Sequence, residues 1–119
     1  MTIEISNRVN ISEKRFNEIF DIASVIADDL NINDAVIEVS PSAEMIEMYD
    51  ADGLCCDEHS IEIINKRDKK ELFEVISHEL RHLYQYLNKL MVNQVYEREV
   101  DAVEYEKKSF KKFKKRLDF

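Results

Sequence analysis

Glycine and proline are nearly absent from this sequence, with one of each among 119 residues. Folds made mainly of strands and tight turns normally contain more of both, so helices should dominate. No apolar run approaches the roughly 18 residues that a membrane-spanning helix requires. Residues 1–6 also lack the basic, apolar and small-residue regions of a signal peptide. We therefore expect a cytoplasmic protein without a membrane partner.

The chain has only two cysteines, Cys55 and Cys56, and they are adjacent. On a strand their side chains would point to opposite faces, and a bridge between neighbours would be strained. We therefore predict two reduced structural thiols.

The net charge of −8 argues against general nucleic-acid binding, because a nucleic-acid surface is normally basic. The charge is unevenly placed, since residues 107–119 contain seven basic side chains and one acid. We interpret this tail as a helix C-terminus whose cations complement the helix dipole. A basic contact surface is the alternative.

Apolar periodicity and turn residues divide the chain into a few elements. Ser12 is placed to cap a helix, and residues 45–49 fit either a helical turn or a strand. Asp52-Gly53 is the only strong turn signal. The predicted elements are helices over residues 13–30, 68–89 and 92–117, and strands over 35–39, 54–56 and 60–65, the last two forming a hairpin. The prediction is a single α+β domain over residues 1–119: an N-terminal helix, a small three- or four-stranded sheet, and two long helices.

Chemistry is suggested by the sequence His78-Glu79-Leu80-Arg81-His82, an HExxH pattern. Two histidines four residues apart lie on one face of a helix, where both imidazoles can reach one Zn²⁺. The adjacent Glu79 can then act as a general base near the open metal position. The apolar residues of this helix form one stripe with the histidines on its flank, which places Ser77 and Arg81 on the far side. The stripe consists of Leu72, Ile76, Leu80, Leu83 and Leu87.

A catalytic zinc needs a third protein ligand. No histidine follows His82, and the preceding strands contain only His59, so we look to the carboxylates of the next helix. Helical phase places Glu99 within the apolar stripe of that helix, and Glu97 and Asp101 on its far side. A carboxylate on an inward face must be paired or metal-bound, which favours Glu99. The alternative is a glutamate at the edge of the stripe whose carboxylate reaches solvent. The stripe consists of Val92, Val95, Tyr96, Ala102, Val103, Phe110, Phe113 and Leu117.

Residues 77–85 and 99–102 together resemble the motifs of the gluzincin metallopeptidases. In its length, the chain is similar to the small members of this family that are common in bacterial and phage genomes. The first segment is similar to their HELRHxxQ stretch and the second to the ExDA stretch that follows. The resemblance implies zinc ligands His78, His82 and Glu99, with Glu79 as the base. It also implies that residues 60–65 line the cleft and pair with an extended substrate. An ExxxD register would instead make Glu97 the ligand and Asp101 its supporting residue.

The expected function is therefore that of a zinc-dependent peptidase, a hydrolase acting on a peptide or protein. A catalytically weak zincin-fold module that binds peptides is the alternative. A third possibility is a self-inhibited form in which a terminus, Cys55 or Cys56 occupies the open zinc position. The candidates for stabilising the oxyanion are His59, Tyr84, Tyr96 and Tyr105.

Overall fold

A computed structural model describes residues 2–40, 53–65 and 68–119. These residues form an α+β fold, as predicted: a strand, a helix, further strands of one mixed sheet, and two C-terminal helices. The predicted elements at residues 45–49 and Asp52 lie outside the described part of the chain. The elements are β1 (Thr2–Asn7), α1 (Glu13–Asp29), β2 (Asp34–Ser40), β3 (Gly53–Cys55), β4 (Ser60–Ile64), α2 (Lys69–Leu87) and α3 (Val95–Phe113).

The four described strands form one sheet in the order β1-β2-β4-β3. β1, β2 and β4 are parallel, with Ile5 opposite Ile37 and Ile37 opposite Ile61. Parallel neighbours need a long crossover, which α1 provides between β1 and β2. β3 runs antiparallel to β4, which confirms the predicted hairpin. Asp57 closes its turn by accepting hydrogen bonds at Oδ1 from the backbone N–H groups of His59 and Ser60, at 2.7 and 2.9 Å.

The prediction that the fold begins with a helix was wrong, because β1 precedes α1. In β1 only Ile3 and Ile5 alternate with polar residues, so the apolar alternation that indicates a strand is very short. Its hydrogen bonds are made to β2, about thirty residues further along the chain. A strand that depends on such distant pairing leaves little local signal.

Helix boundaries follow the caps where these exist. Ser12 Oγ accepts a hydrogen bond from the backbone N–H of Arg15 at 3.1 Å, which confirms the predicted cap of α1. Asp68 caps α2 in the same way through Lys70. α3 begins at Val95 and ends at Phe113, inside the predicted range of 92–117. No helix in the described ranges is long and apolar enough to cross a membrane.

The core lies between the sheet and the helices α1 and α2, and it positions α2 against β3 and β4. Its fully buried side chains are mostly branched aliphatic residues, which pack densely and without polar atoms. They include Ile19, Ile22 and Ile26 of α1, Ile37, Ile61 and Ile63 of the sheet, and Leu72, Phe73, Ile76, Leu80 and Leu83 of α2.

α3 is tied to α1 through Asp29, the last residue of that helix. Tyr105 donates a hydrogen bond from Oη to Asp29 Oδ2 at 2.8 Å, and Lys112 donates from Nζ to Oδ1 at 2.7 Å. Lys111 and Lys112 lie in the last turn of α3, where a cation complements the helix dipole. At least one lysine of the basic tail therefore also fastens α3 to the rest of the fold.

Asp29→Asn should lower the free energy of unfolding by about 1 kcal/mol at neutral pH, because two hydrogen bonds to a carboxylate are weakened. Burial raises the pKa of Asp29, but the bonds from Lys112 and Tyr105 outweigh it and hold the pKa below 3.8. A lowered folded-state pKa stabilises above the unfolded value and ceases to do so as the pH falls through the folded one. Urea unfolding from pH 7 to 3 should show the difference from wild type shrinking below about pH 4. Asp28→Asn, at an exposed neighbour, is the control and should show no such convergence.

Candidate metal centre

α2 and α3 bring three potential metal ligands together. His78 and His82 lie one turn apart, with their Nε2 atoms separated by 3.1 Å. Glu99 of α3 faces both, with Oε1 2.7 Å from His82 Nε2 and Oε2 3.1 Å from His78 Nε2. Tetrahedral zinc with bonds of about 2.0–2.1 Å would hold its ligand atoms about 3.3 Å apart, close to these separations. Among the His, Cys, Asp and Glu side chains of the described ranges, His78, His82 and Glu99 form the group whose ligand atoms are close enough together to bind one metal ion.

The tautomer of His82 follows from the hydrogen bonds of Gln85. Gln85 Nε2 lies 3.0 Å from the carbonyl of Arg98 and 2.8 Å from Asp101 Oδ2. Both partners only accept, so this atom is the amide nitrogen and its two hydrogens are used. The amide oxygen of Gln85 therefore faces His82 Nδ1, at 2.8 Å, and accepts a hydrogen bond from it. With Nδ1 protonated, neutral His82 has its lone pair on Nε2.

His78 has the same tautomer for a simpler reason. Its Nδ1 lies 2.8 Å from Glu106 Oε2, and an ionised carboxylate can only accept. The lone pair of neutral His78 is therefore also on Nε2. A carboxylate on the outer nitrogen fixes the ring and raises its basicity, as is usual for metal-binding histidines.

Two nitrogen lone pairs and a carboxylate thus converge on one point between α2 and α3. Three acceptors about 3 Å apart repel one another unless a proton or a metal cation lies between them. Burial lowers the pKa of His78, but its bond to Glu106 and the surrounding carboxylates outweigh burial and raise it. The pocket is thus electrostatically suited to a positive charge, which a divalent metal would supply.

Glu79 lies beside this group and is buried, with 8% of its surface exposed. Burial raises the pKa of its carboxyl, and the charges of the two histidines oppose that effect. β3 passes against its side chain: a Cβ on Gly53 would lie 2.8 Å from Glu79 Cγ and 3.1 Å from Oε2. Glycine is therefore required at 53 for close approach. Gly53 begins β3, and the turn predicted at Asp52-Gly53 lies partly outside the described residues.

The substrate-pairing strand implied by the resemblance was wrong. β4 contains most of residues 60–65 and lies between β2 and β3, so both its edges are already paired. Among the described strands, β3 is the edge next to the candidate centre. The sequence could not show this, because strand order depends on contacts between distant segments.

The predicted orientation of α3 was wrong in the N-terminal half of the helix, although Glu99 does meet both histidines, and it was confirmed in the C-terminal half, where Ala102 and Phe113 are buried. Val92, Val95 and Tyr96, assigned to the inward stripe, are 62%, 65% and 76% exposed. Asp101, assigned to the far side, faces α2 and binds Arg81 Nε at 2.7 Å. In the N-terminal half of α3, the side chains that face α2 are polar. The apolar residues therefore do not indicate which face of the helix is turned inward.

The face of α2 opposite its apolar stripe, where Ser77 and Arg81 were predicted to lie, also contacts other residues. Ser77 is fully buried, and its Oγ donates to the carbonyl of Glu74 at 3.1 Å. Arg81 pairs with Asp101 and lies over the ring of Tyr84 at 4.5 Å and that of Tyr105 at 5.0 Å. α2 packs against the sheet on one side and against α3 on another. The part of its surface that is in contact with other elements is therefore wider than its apolar stripe.

Two residues of the centre, Gln85 and Glu106, were missed. Their spacing offered a signal: Gln85 follows His82 by three residues, and Glu106 follows Glu99 by two helical turns. Glu97 is exposed on α3, and none of its contacts in the described structure reaches the histidines. Asp101 is connected to His82 by hydrogen bonds through Gln85. The assignment of Glu99 rather than Glu97 as metal ligand stays a prediction with this geometry in its favour.

The proposed oxyanion stabilisers have other surroundings. Tyr105 donates to Asp29, and Tyr84 lies under Arg81. His59 is exposed in the β3–β4 turn beside Glu58, and Tyr96 is exposed on α3. None of the four has a described contact with the histidines, so their catalytic role stays an untested prediction.

Both cysteines are free thiols, as the sequence predicted. Cys55 lies at the end of β3 near Glu79. Burial first, and then the charge of Glu79, raises the pKa of this thiol to about 12. Neither cysteine belongs to the ligand group in the described part of the chain. The positions of the two cysteines therefore do not support the hypothesis that a thiol occupies the open zinc position.

Scans against protein-family models, curated proteins and solved structures find no match to this chain. The likeness to gluzincins therefore depends on the motif residues and on the geometry described above.

Gln85→Met should weaken zinc binding about 10–100-fold, because it keeps the side-chain volume but removes the acceptor that fixes the His82 tautomer. The dissociation constant would be measured by competition with a chromophoric chelator. Gln94→Met, at an exposed position with no side-chain cap bond, is the matched control and should bind zinc as wild type does. Equal affinity of Gln85→Met and wild type would contradict the assigned hydrogen bond.

Proposed function

We propose that this chain is a zinc-dependent peptidase of the gluzincin kind. The observation that carries the proposal is the convergence of His78 Nε2, His82 Nε2 and the Glu99 carboxylate, with buried Glu79 alongside. Two imidazoles, one carboxylate and an open fourth position form the ligand set of catalytic zinc in this class of hydrolase. The HExxH order places the base where that chemistry requires it.

The metal, when bound, would lower the pKa of a coordinated water and polarise the carbonyl of the scissile bond. The chain supplies the proton transfers: Glu79 takes a proton from the attacking water and gives it to the leaving amine. Its raised pKa suits this task, because a base must also be able to act as an acid. Glu106 and Gln85 contact the Nδ1 atoms of the two rings, which would leave Nε2 of each free to hold the metal.

The substrate in this proposal is an extended peptide or protein segment. Among the described strands, β3 is the edge beside Glu79, and extended peptides bind such edges through backbone hydrogen bonds. Gly53 allows this backbone to approach the catalytic carboxylate closely. The alternative function, a peptide-binding module with little catalysis, would use the same edge and differs only in turnover.

Metal content distinguishes the two candidate ligands on α3, Glu97 and Glu99. We expect about one zinc per wild-type chain by elemental analysis. Glu99→Ala should lower zinc affinity at least 100-fold, because a ligand facing both histidines is lost. Glu97→Ala is the matched control two residues away and should retain zinc. The reverse result would show that the ligand is Glu97.

Glu79→Gln tests the catalytic role separately from metal binding. It should retain zinc and reduce cleavage of a mixed peptide library by about 10²–10⁴-fold, since the amide cannot accept the proton. Cleavage products would be counted by mass spectrometry, with Glu97→Gln as a control that keeps full activity. A zinc-loaded wild type that cleaves no peptide would exclude the peptidase and favour the peptide-binding module.

A further inference from the structure

The C-terminal half of α3 and the turn after it carry a concentration of positive charge that the candidate metal centre does not use. Residues 107–119 contain seven of the chain's 17 basic side chains and one of its 25 acidic ones. All seven basic residues are exposed. We propose that five of them, which we call the basic face, dock a short acidic segment of another protein. This inference goes beyond the proposed function and does not depend on bound zinc. The basic face consists of Lys107, Lys108, Lys111, Lys114 and Lys115.

The five lysines of the basic face lie on one side of the helix. The residues on the opposite side, Ser109, Phe113 and Leu117, are buried. The bond from Leu117 N to the Phe113 carbonyl at 3.0 Å continues the helical path beyond the end of α3. At 1.5 Å per residue, the distance along the helix axis from Lys107 to Lys115 is about 12 Å. Five positive charges are therefore concentrated on a small outward surface.

Intramolecular ion pairs do not neutralise the basic face. Of the seven basic residues, Lys112 is the one that forms an ion pair within the described ranges, with Asp29 at 2.7 Å. Lys112 belongs to the side of α3 that contacts α1. The five lysines of the basic face form no ion pair with any side chain in the part of the chain that the structure describes. Their charges are therefore open to an anionic partner.

Helix stability accounts for only part of this charge. A cation complements the helix dipole within the last turn, which in α3 contains Lys111 and Lys112. Lys107 and Lys108 lie before that turn, since α3 ends at Phe113. Each of them also has a lysine four residues further on, and like charges at this spacing destabilise a helix. A docking surface explains why the positive charge extends so far from the helix end.

The small size of the basic face and its acidic borders favour a short partner segment. Glu104 precedes the face and Asp118 follows it, and both are exposed. An anion much longer than the face, such as a DNA duplex, would bring its charges within a Debye length of these carboxylates and of the acidic remainder of the chain. A short segment rich in Asp and Glu would contact the lysines alone. Lysine ammonium groups are point charges on flexible stems, so we expect recognition of charge and not of one particular sequence.

Fluorescence anisotropy with a labelled D-glutamate octapeptide tests the inference on the full chain. The D-residues present the negative charge and resist cleavage. The octapeptide should bind wild type at low salt and lose at least about 10-fold in affinity between about 20 and 300 mM NaCl, because salt screens exposed charge pairs. A D-serine octapeptide is the neutral control and should not bind.

Lys107→Gln/Lys108→Gln removes two charges of the basic face that lie outside the last helical turn. Its affinity for the D-glutamate octapeptide should be about 5-fold or more below that of wild type, because two exposed charge pairs are lost. Lys14→Gln/Lys89→Gln changes two exposed lysines outside the basic face and has the same net charge. This matched control should bind the octapeptide as wild type does.

Urea unfolding separates docking from a role within the helix. Glu104 lies four residues before Lys108, a spacing at which opposite charges stabilise a helix, whereas Lys112 lies four residues after it and repels it. These two effects should nearly cancel, so Lys107→Gln/Lys108→Gln should unfold at the same urea concentration as wild type. A lower unfolding midpoint together with unchanged affinity for the octapeptide would show that the lysines serve the helix, and would overturn the inference.

Three further results would also overturn the inference. The first is a D-glutamate octapeptide that does not bind wild type, or that binds Lys107→Gln/Lys108→Gln equally well. The second is tighter binding of a short DNA duplex than of the octapeptide, which would identify a nucleic-acid surface. The third is a wild-type oligomer, seen by light scattering, that dissociates in Lys107→Gln/Lys108→Gln, because a second copy would then occupy the basic face.

Discussion

The orientation of one amide, that of Gln85, determines much of the arrangement between α2 and α3. Its nitrogen donates to Asp101 and to the carbonyl of Arg98, which leaves its oxygen for His82. Reversing the amide would place a nitrogen against a protonated ring nitrogen and an oxygen against two acceptors, so four groups would lose their partners at once. A buried network of this kind is stable only when every member is satisfied. The ring of His82 therefore has one orientation, with its lone pair toward Glu99.

The same constraint extends away from the candidate centre. Asp101, which accepts from Gln85, also binds Arg81, and both bonds hold its pKa low against the effect of burial. Arg81 lies over Tyr105, whose hydroxyl donates to Asp29 at the end of α1. The contacts thus run without interruption from α1 to the ligand group. The three ligand atoms can lie about 3 Å apart because these polar bonds help to fix the relative position of α2 and α3.

Local patterns predicted most elements of this fold but not the relations between them. Ser12 and the periodicity of α1 are properties of adjacent residues, and both were confirmed. The edge position of β3 and the pairing of β1 depend on segments far apart in the chain, and they were not predicted. At the site, the spacing of His78 and His82 is fixed within one helix, whereas the phase of α3 depends on which of its side chains meet α2. Apolar periodicity failed there because Asp101 and Glu106 face inward to bind other polar groups.

The single glycine shows how β3 and the α2–α3 turn, which form two sides of the cavity at Glu79 and His82, differ from each other. Gly53 stands where β3 must approach Glu79, although its backbone does not need a positive φ. Lys89 and Met91, which do have a positive φ, are not glycines. Glycine at those turn positions would relieve the backbone but would also widen the range of conformations open to the turn. Residues other than glycine have fewer backbone conformations available, and the hydrogen bonds from Arg98 to the Met91 carbonyl and from Leu90 to the Gln85 carbonyl hold the turn in one of them. The two sides of the cavity therefore keep their shape by different means, close packing of the backbone at Gly53 and hydrogen bonds to the backbone of the turn.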